Sequence, residues 1–160
     1  MHTAFNVCYC VKNAGDRSAG SRRDIKEEPD ATPGHEPGKV LVVDDERDLA
    51  DLTELLLCSH GLKVAVAYSA GEALRALETD SDINAVFSDV MMPGMNGLQL
   101  AGVIRKLYPH VKILLTSGYT SPTLLAEHRP EPPYLFTAKP YRIETVVELL
   151  RSPTDRSFND

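Results

Sequence analysis

Four apolar runs in this 160-residue sequence end in residues that can do chemistry together. Asp44-Asp45-Glu46 follows the first run, Asp89 the third, Ser117-Gly118 the fourth and Lys139-Pro140 the fifth. Clustered carboxylates raise one another's pKa unless a cation neutralises them. Mg²⁺ suits such oxygen ligands and takes one or two carboxylates together with phosphate oxygens. A carboxylate beside Mg²⁺ and a lysine can attack a phosphoryl group, whose charge a hydroxyl, a lysine and backbone N–H groups then stabilise.

Taken singly, each of these residues also has a purely structural interpretation. Asp44 or Asp45 can cap the first helix, Asp89 can cap a turn, and Lys139 can be a solvated surface residue. Their joint occurrence, each just past a different apolar strand, favours one shared site over independent structural roles.

The elements that must position these residues alternate along the chain. Buried strands are predicted over 39–43, 63–67, 83–88, 112–116 and 134–137. Helices are predicted over 47–59, after Ser69, over 97–107, for one or two turns after Ser121-Pro122, and over 141–151. The buried stripe of the first helix is predicted as Leu49, Leu52, Leu55 and Leu56, and that of the third as Leu100, Val103, Ile104 and Leu107. This alternation predicts a doubly wound α/β parallel sheet, whose ligands bind outside the carboxyl ends of the strands.

Composition narrows the class of protein. Apolar residues make up 42% of the chain and charged residues 25%, as in soluble globular proteins. A net charge of −6 argues against nucleic acid as a partner. Cys8, Cys10 and Cys58 are too few for a disulfide scaffold or a four-ligand zinc site. Neither a membrane span nor a secretory signal is visible, so a cytoplasmic location is expected.

The chain divides into three parts. Residues 1–38 contain Lys or Arg 5 times and Asp or Glu 6 times, with Gly, Ser and Pro between them, and are predicted to be a disordered tail. Residues 39–151 carry the α/β pattern and form the predicted domain. Residues 152–160 are a polar tail.

The ordered motifs resemble a response-regulator receiver domain of two-component signalling, similar to chemotaxis-type receivers and to receivers of hybrid histidine kinases. The matching segments are Val40-Leu41-Val42-Val43-Asp44-Asp45-Glu46, Ser88-Asp89-Val90-Met91-Met92-Pro93-Gly94-Met95-Asn96-Gly97, Leu114-Leu115-Thr116-Ser117-Gly118-Tyr119 and Ala138-Lys139-Pro140. The resemblance implies a flavodoxin-like five-stranded sheet of order 2-1-3-4-5, here with a shortened fourth helix.

The resemblance also assigns roles to residues. It implies Asp89 as the phosphoacceptor and Mg²⁺, or Mn²⁺ in its place, as the cofactor. The metal ligands are then Asp45, Asp89 and the Met91 carbonyl, with Asp44 acting through a metal-bound water. The other implied roles concern the phosphoryl group: Lys139 pairs with it, Ser117 is the switch hydroxyl, Gly118 is the small neighbour, Phe136 is the rotating aromatic, Pro140 is a candidate for a cis peptide, and Met91 and Tyr119 tune dephosphorylation.

A receiver of this kind takes phosphate from a histidine kinase or a histidine phosphotransfer protein. It catalyses only its own phosphorylation and dephosphorylation and signals by a conformational change. The surface expected to change is formed by the fourth predicted helix, the fifth strand and the fifth predicted helix, and is called the output face (4-5-5 face). This face is also a candidate for homodimerisation. Nine residues follow the last predicted helix and 38 precede the first strand, so the expected output is a protein contact, relay to another phosphotransfer protein, or drainage of phosphate.

Two alternatives remain. One is a phosphate-independent, receiver-like adaptor, although every expected acidic residue and Lys139 are present. The other is an aspartyl-phosphate phosphatase on a related sheet. Such enzymes place a second carboxylate two residues after the nucleophile, where this chain has Met91.

Overall fold

The computed structural model describes residues 37–118 and 134–153, which build one five-stranded parallel sheet of order β2-β1-β3-β4-β5. The strands are β1 (Lys39–Val43), β2 (Val64–Ala67), β3 (Ile83–Asp89), β4 (Lys112–Ser117) and β5 (Tyr134–Ala138). The helices are α1 (Arg47–Ser59), α2 (Ala70–Thr79), α3 (Gly97–Leu107) and α4 (Ile143–Arg151). The predicted fold and strand order are confirmed. The short helix predicted after Ser121 lies outside the described residues.

The sheet is covered on both faces, which is why its central strands are apolar throughout. One core cluster lies between the sheet and α2 with α3, around Leu41, Val86 and Ile104. The other lies between the sheet and α1 with α4, around Val42 and Val146. No helix in these described parts of the chain is long and apolar enough to cross a membrane.

Local sequence signals set the helix ends. The Ser69 hydroxyl accepts from the Glu72 N–H at the start of α2. Asn96 and Gln99 form a reciprocal capping box at the start of α3. Gly61 follows α1 with a φ of +84°, a left-handed conformation that glycine adopts without the steric cost of a Cβ.

The predicted buried stripe of α1 is wrong. The helix turns Ala50, Thr53 and Leu57 towards the core, while Leu52 is 50% exposed and Leu55 is 65% exposed. The buried stripe has the spacing of the predicted stripe, shifted by one residue, and it contains the small Ala50. The outer stripe is called the leucine face below and comprises Leu49, Leu52, Leu55 and Leu56. The same correction applies to Leu107 on α3, which is 63% exposed.

Two buried lysines lie at the amino end of the sheet. Lys39 on β1 donates to the Asp80 carboxylate at 2.6 Å. Lys112 on β4 donates to the Leu150 carbonyl at 3.3 Å and to the Ser152 hydroxyl at 3.0 Å, at the carboxyl end of α4. Burial lowers the pKa of Lys112, while its contacts with carbonyl oxygens satisfy the ammonium group. These contacts fasten α2 and α4 to the sheet edge opposite the predicted site.

Replacing Asp80 with asparagine is expected to lower the free energy of unfolding at pH 7 by about 2 kcal/mol, because buried Lys39 loses a charged partner. The hydrogen bond from Lys39 lowers the pKa of Asp80. Because the folded-state pKa is depressed, the pair stabilises the protein above the unfolded-state value of about 4 and is lost as the pH falls through the lowered pKa. Urea unfolding between about pH 7 and about pH 3 measures this difference. This prediction is contradicted if the stability difference between wild type and Asp80→Asn stays constant in acid. An equal loss of stability in Asp82→Asn, at an exposed aspartate, would also contradict it.

Candidate functional site

The carboxyl edge of the sheet brings the sequence-predicted residues together. Asp89 ends β3, the central strand, and pairs in register with Thr116 on β4. Ser117, the next residue of β4, pairs with Ala138 on β5, and the Ser117 carbonyl accepts the Lys139 N–H at 3.0 Å. Asp44 follows β1 directly, on the other side of β3. One lysine and two aspartates therefore meet where three strands end.

Lys139 bridges the two aspartates. Its Nζ lies 2.7 Å from Asp89 Oδ2 and 3.9 Å from Asp44 Oδ2. Both aspartate side chains are largely buried, while Lys139 keeps a quarter of its side-chain surface exposed. The cluster is thus sheltered by protein on the sheet side and open at the edge.

Asp89 is held on both sides of its carboxylate. Oδ1 accepts the Met91 N–H at 2.9 Å, and Oδ2 accepts from Lys139. Its backbone carbonyl accepts the buried Ser88 hydroxyl at 3.0 Å. These contacts orient the carboxylate and leave little freedom to the end of β3.

Burial and charge act against each other at this edge. Burial raises the pKa of Asp44, outweighing the hydrogen bond from the Glu46 N–H and the attraction of Lys139, which both lower it. Burial by itself lowers the pKa of Lys139, but its hydrogen bond and attraction to Asp89 and its attraction to Asp44 more than compensate, so the net shift is upward. Lys139 therefore stays charged, and Asp44 bears an electrostatic cost that a second cation would relieve.

The donor set fits a hard divalent cation. Asp44, Asp89 and exposed Asp45 offer carboxylate oxygens at one edge, against a single ammonium group from Lys139. In residues 37–118 and 134–153, no three acidic, histidine or cysteine side chains converge as a complete ligand set. Mg²⁺ keeps several waters and uses one or two carboxylates plus phosphate oxygens, and Asp44 and Asp89 are two such carboxylates.

The remaining predicted residues lie in or just after β3, β4 and β5. Ser117 is buried, Gly118 is exposed, and Phe136 on the edge strand β5 is 38% exposed. Met91 is also exposed. The Lys139-Pro140 peptide bond is cis. Tyr119 lies outside the described residues.

Gly97 is a site residue that the sequence reasoning did not single out. A Cβ on Gly97 would lie 2.2 Å from the Asp89 carbonyl oxygen and 2.8 Å from Val90 Cα. The Gly97 N–H also donates to the Val90 carbonyl at 2.9 Å. The start of α3 thus presses directly against the backbone of Asp89. The Asn96-Gly97 dipeptide at the predicted helix start was the available signal.

Asp44→Asn is expected to raise the free energy of unfolding by about 0.5–2 kcal/mol at pH 7 without Mg²⁺. Asparagine removes a buried charge and keeps an oxygen for the Glu46 N–H, which donates to Asp44 Oδ1 at 2.9 Å. Because the folded-state pKa of Asp44 is raised, its cost is present at neutral pH and disappears below the unfolded-state value of about 4. Thermal unfolding across pH measures the gain. Exposed Asp45→Asn is the matched control and should change stability by less than about 0.5 kcal/mol.

An open parallel sheet with this order defines a doubly wound α/β protein, and its acidic cluster paired with lysine lies at the carboxyl edge, where such sheets bind their ligands. A family model described as the response regulator receiver domain matches residues 40–151. The chain belongs to this family, the receiver module of two-component systems, in which phosphoryl acceptance on an aspartate and Mg²⁺ binding are typical.

Individual relatives agree with this assignment. The chain is similar to the response regulator protein FleR of Pseudomonas aeruginosa, with 34% identity over 112 residues, which are 70% of this chain and 24% of FleR. It is 40% identical to the regulatory protein VanR of Enterococcus faecium over 82 residues, which are 51% of this chain and 35% of VanR. The chain thus spans about a quarter to a third of these curated relatives. Among solved structures, the chemotaxis protein CheY4 of Vibrio cholerae matches with a TM-score of 0.64 and 29% identity, over 71% of this chain and 95% of CheY4.

Proposed function

We propose that residues 39–151 accept a phosphoryl group on Asp89 from a phosphohistidine donor, in a reaction that needs Mg²⁺. The observation that carries this proposal is the 2.7 Å contact between Lys139 and Asp89 at the carboxyl edge, with Asp44 alongside. Receiver domains are phosphorylated by histidine kinases or phosphotransfer proteins, and they act as signalling modules rather than as turnover enzymes.

Asp89 is the best placed of the three aspartates to be the nucleophile. It ends the central strand, so groups from β1 and from β4 and β5 reach it from both sides. Its Oδ2 is the carboxylate oxygen closest to Lys139, whereas Asp44 lies farther from that ammonium group and accepts the Glu46 N–H. Asp45 is exposed and suits a ligand role better than a nucleophilic one.

The proposed transfer exchanges one bond for another. An Asp89 carboxylate oxygen forms a bond to phosphorus while the phosphorus–nitrogen bond of the donor breaks. The electron pair of that bond stays on the imidazole nitrogen. Lys139 remains protonated, because its raised pKa keeps the ammonium charged, and it pairs with the phosphoryl oxygens as Asp89 loses its own charge.

Asp45, Asp89 and the Met91 carbonyl would hold Mg²⁺ directly, and Asp44 would act through water; Mn²⁺ is expected to substitute. When bound, the metal neutralises the carboxylates and the phosphoryl oxygens. The raised pKa of Asp44 supports this set, because a buried carboxylate with incomplete charge compensation gains most from a cation.

The proposed signal is a shift of the output face. The Ser117 hydroxyl donates to the phosphoryl group, and half-exposed Phe136 on β5 moves inward into the space this opens. Gly118 leaves room beside the phosphate, and Met91 and Tyr119 bring no carboxylate or amide to activate water, so dephosphorylation is slow. The expected readers of the changed face are a downstream protein or a second copy of the chain.

Intact-mass analysis after incubation with Mg²⁺ and a small acyl-phosphate donor tests this function. We expect one phosphoryl adduct that is lost with a chelator and in Asp89→Asn. Asp82→Asn is the matched control, since this exposed aspartate precedes the other end of β3. An adduct that persists in Asp89→Asn would place the chemistry elsewhere. Failure of a folded protein to accept phosphate from both this donor and a phosphohistidine protein would favour the phosphate-independent adaptor.

A further inference from the structure

Thr116 carries a buried hydroxyl next to the proposed nucleophile. The residue is 2% exposed, and its Oγ1 has no hydrogen-bond partner in the part of the chain that the structure describes. A buried hydroxyl without a partner costs free energy that a valine of similar shape would avoid. Buried polar groups are rarely left in this state, so each one requires a physical reason. The position of Thr116 in the sheet provides one.

The strand register places Thr116 on the same face of the sheet as Asp89. Thr116 on β4 pairs with Asp89 on β3, and the two strands lie about 4.8 Å apart. Two residues earlier in these strands, Phe87 and Leu114 belong to the core cluster between the sheet and α1 with α4. Since side chains alternate along a strand, Thr116 shares this face with Asp89, whereas Ser117 lies on the other face. The unpartnered hydroxyl is therefore a cross-strand neighbour of the carboxylate.

The backbone fixes Thr116 in this position. Its carbonyl accepts the Val90 N–H at 2.8 Å, directly after Asp89. In this structure the two Asp89 oxygens accept from the Met91 N–H and from Lys139, and Thr116 donates to neither. A rotation about the Thr116 Cα–Cβ bond moves Oγ1 without any change in the backbone. The hydroxyl is thus available as a further donor to the carboxylate.

Phosphoryl transfer creates the need for this donor. In the proposed function, on which this inference rests, Lys139 pairs with the phosphoryl oxygens and so leaves the Asp89 oxygen that it holds in the free protein. In a loose transition state the bond from phosphorus to Asp89 is weak, so the reacting oxygen carries most of a negative charge. Hydrogen bonds to a charged oxygen are the strong ones. We propose that the Thr116 hydroxyl donates to this Asp89 oxygen in the transition state, both when the phosphoryl group arrives and when it leaves.

The hydroxyl keeps its own proton in both directions. During phosphorylation the Asp89 oxygen supplies the electron pair of the new bond to phosphorus. During dephosphorylation a water oxygen bonds to phosphorus, the bond to Asp89 breaks, and its electron pair stays on the Asp89 oxygen. The proton of the water leaves with the inorganic phosphate or passes to solvent. Because the hydrogen bond is absent from the free protein and forms in the transition state, Thr116 lowers both barriers.

Thr116→Val tests this role, because valine removes the hydroxyl and keeps the shape of the side chain. Intact mass follows adduct formation with Mg²⁺ and an acyl-phosphate donor, and then adduct loss after the donor is removed. We expect both rates to fall by about tenfold. The melting temperature of the unphosphorylated protein should rise by about 3 °C, because the unpartnered hydroxyl is gone. Thr116→Ser keeps a hydroxyl and should recover most of both rates.

Thr137→Val is the matched control. Thr137 pairs with Thr116 on the same face, one strand farther from Asp89, so its replacement should leave both rates unchanged. Wild-type rates in Thr116→Val, slow rates that Thr116→Ser does not recover, or a lower melting temperature in Thr116→Val would each overturn the inference. Thr116→Ala also lacks the hydroxyl, and its rates decide if the valine variant fails to fold. Absence of an adduct in the wild type would instead overturn the proposed function itself.

Discussion

Replacing Lys139 with methionine is expected to slow phosphorylation of the protein by about 100-fold, the usual effect of removing one preorganised donor to a developing charge. Lys139 is the only cation within contact distance of Asp89 among the described residues, at 2.7 Å, and it also lies 3.9 Å from Asp44. Without it, the phosphoryl oxygens would meet carboxylates with no ammonium group between them. The measurement is the rate of adduct formation by intact mass with Mg²⁺ and an acyl-phosphate donor.

A matched control distinguishes the effect of losing a charge at the site from the effect of changing the net charge of the protein. Lys106→Met removes the same charge from an exposed position on α3 and should leave the rate unchanged. Lys139→Arg retains the charge with a different shape, so an intermediate rate is expected. Wild-type phosphorylation in a folded Lys139→Met protein would show that Lys139 has no part in the chemistry.

Replacing Gly97 with alanine is expected to lower the free energy of unfolding by about 3 kcal/mol, at the upper end of overpacking effects. The new Cβ would lie 2.2 Å from the Asp89 carbonyl oxygen, and both this oxygen and Val90 Cα are backbone atoms that cannot swing aside. Either α3 moves away from the sheet or the end of β3 shifts. The second outcome displaces the Asp89 carboxylate from Lys139, so phosphorylation should slow as well.

Gly102→Ala on the same helix is the control. A Cβ there meets nothing within 4 Å, so alanine should raise helix stability by about 0.5–1 kcal/mol. Urea unfolding compares the two variants. Equal stability of Gly97→Ala and wild type would mean that the contact with the Asp89 backbone relaxes without cost.

Local patterns predicted most of the secondary structure. The bounds of β1, α1 and α3 agree with the sequence prediction residue for residue. Those of β2, β3, β4, β5 and α4 differ from it by one or two residues. Strands β3 and β4 extend one residue further, to include Asp89 and Ser117 themselves. Periodicity and the Ser69 cap are signals within a few residues of one another, so a single sequence can reveal them.

The sequence predicted that these residues meet because parallel strands end at one edge of the sheet, not because the residues are close along the chain. Asp44, Asp89 and Lys139 are far apart in sequence, yet parallel strands must end at the same edge, so residues just past each strand meet there. Chemistry-bearing side chains at strand ends were thus enough to bring them together. Their distances, and the burial that raises the pKa of Asp44, depend on the tertiary packing around that edge.

Tertiary packing alone decided between patterns that the sequence left equivalent. On α1 two stripes share one spacing, and the stripe with Ala50 faces the core while the leucine face remains outside. The ion pair of Lys39 with Asp80 is a contact between elements and has no signature in any local window. The sequence therefore determined the strands, the helices and the edge that bears the site, because these follow from local periodicity and parallel topology. The tertiary structure decided which faces are buried and which charges pair, because these depend on distances between elements that no stretch of sequence contains.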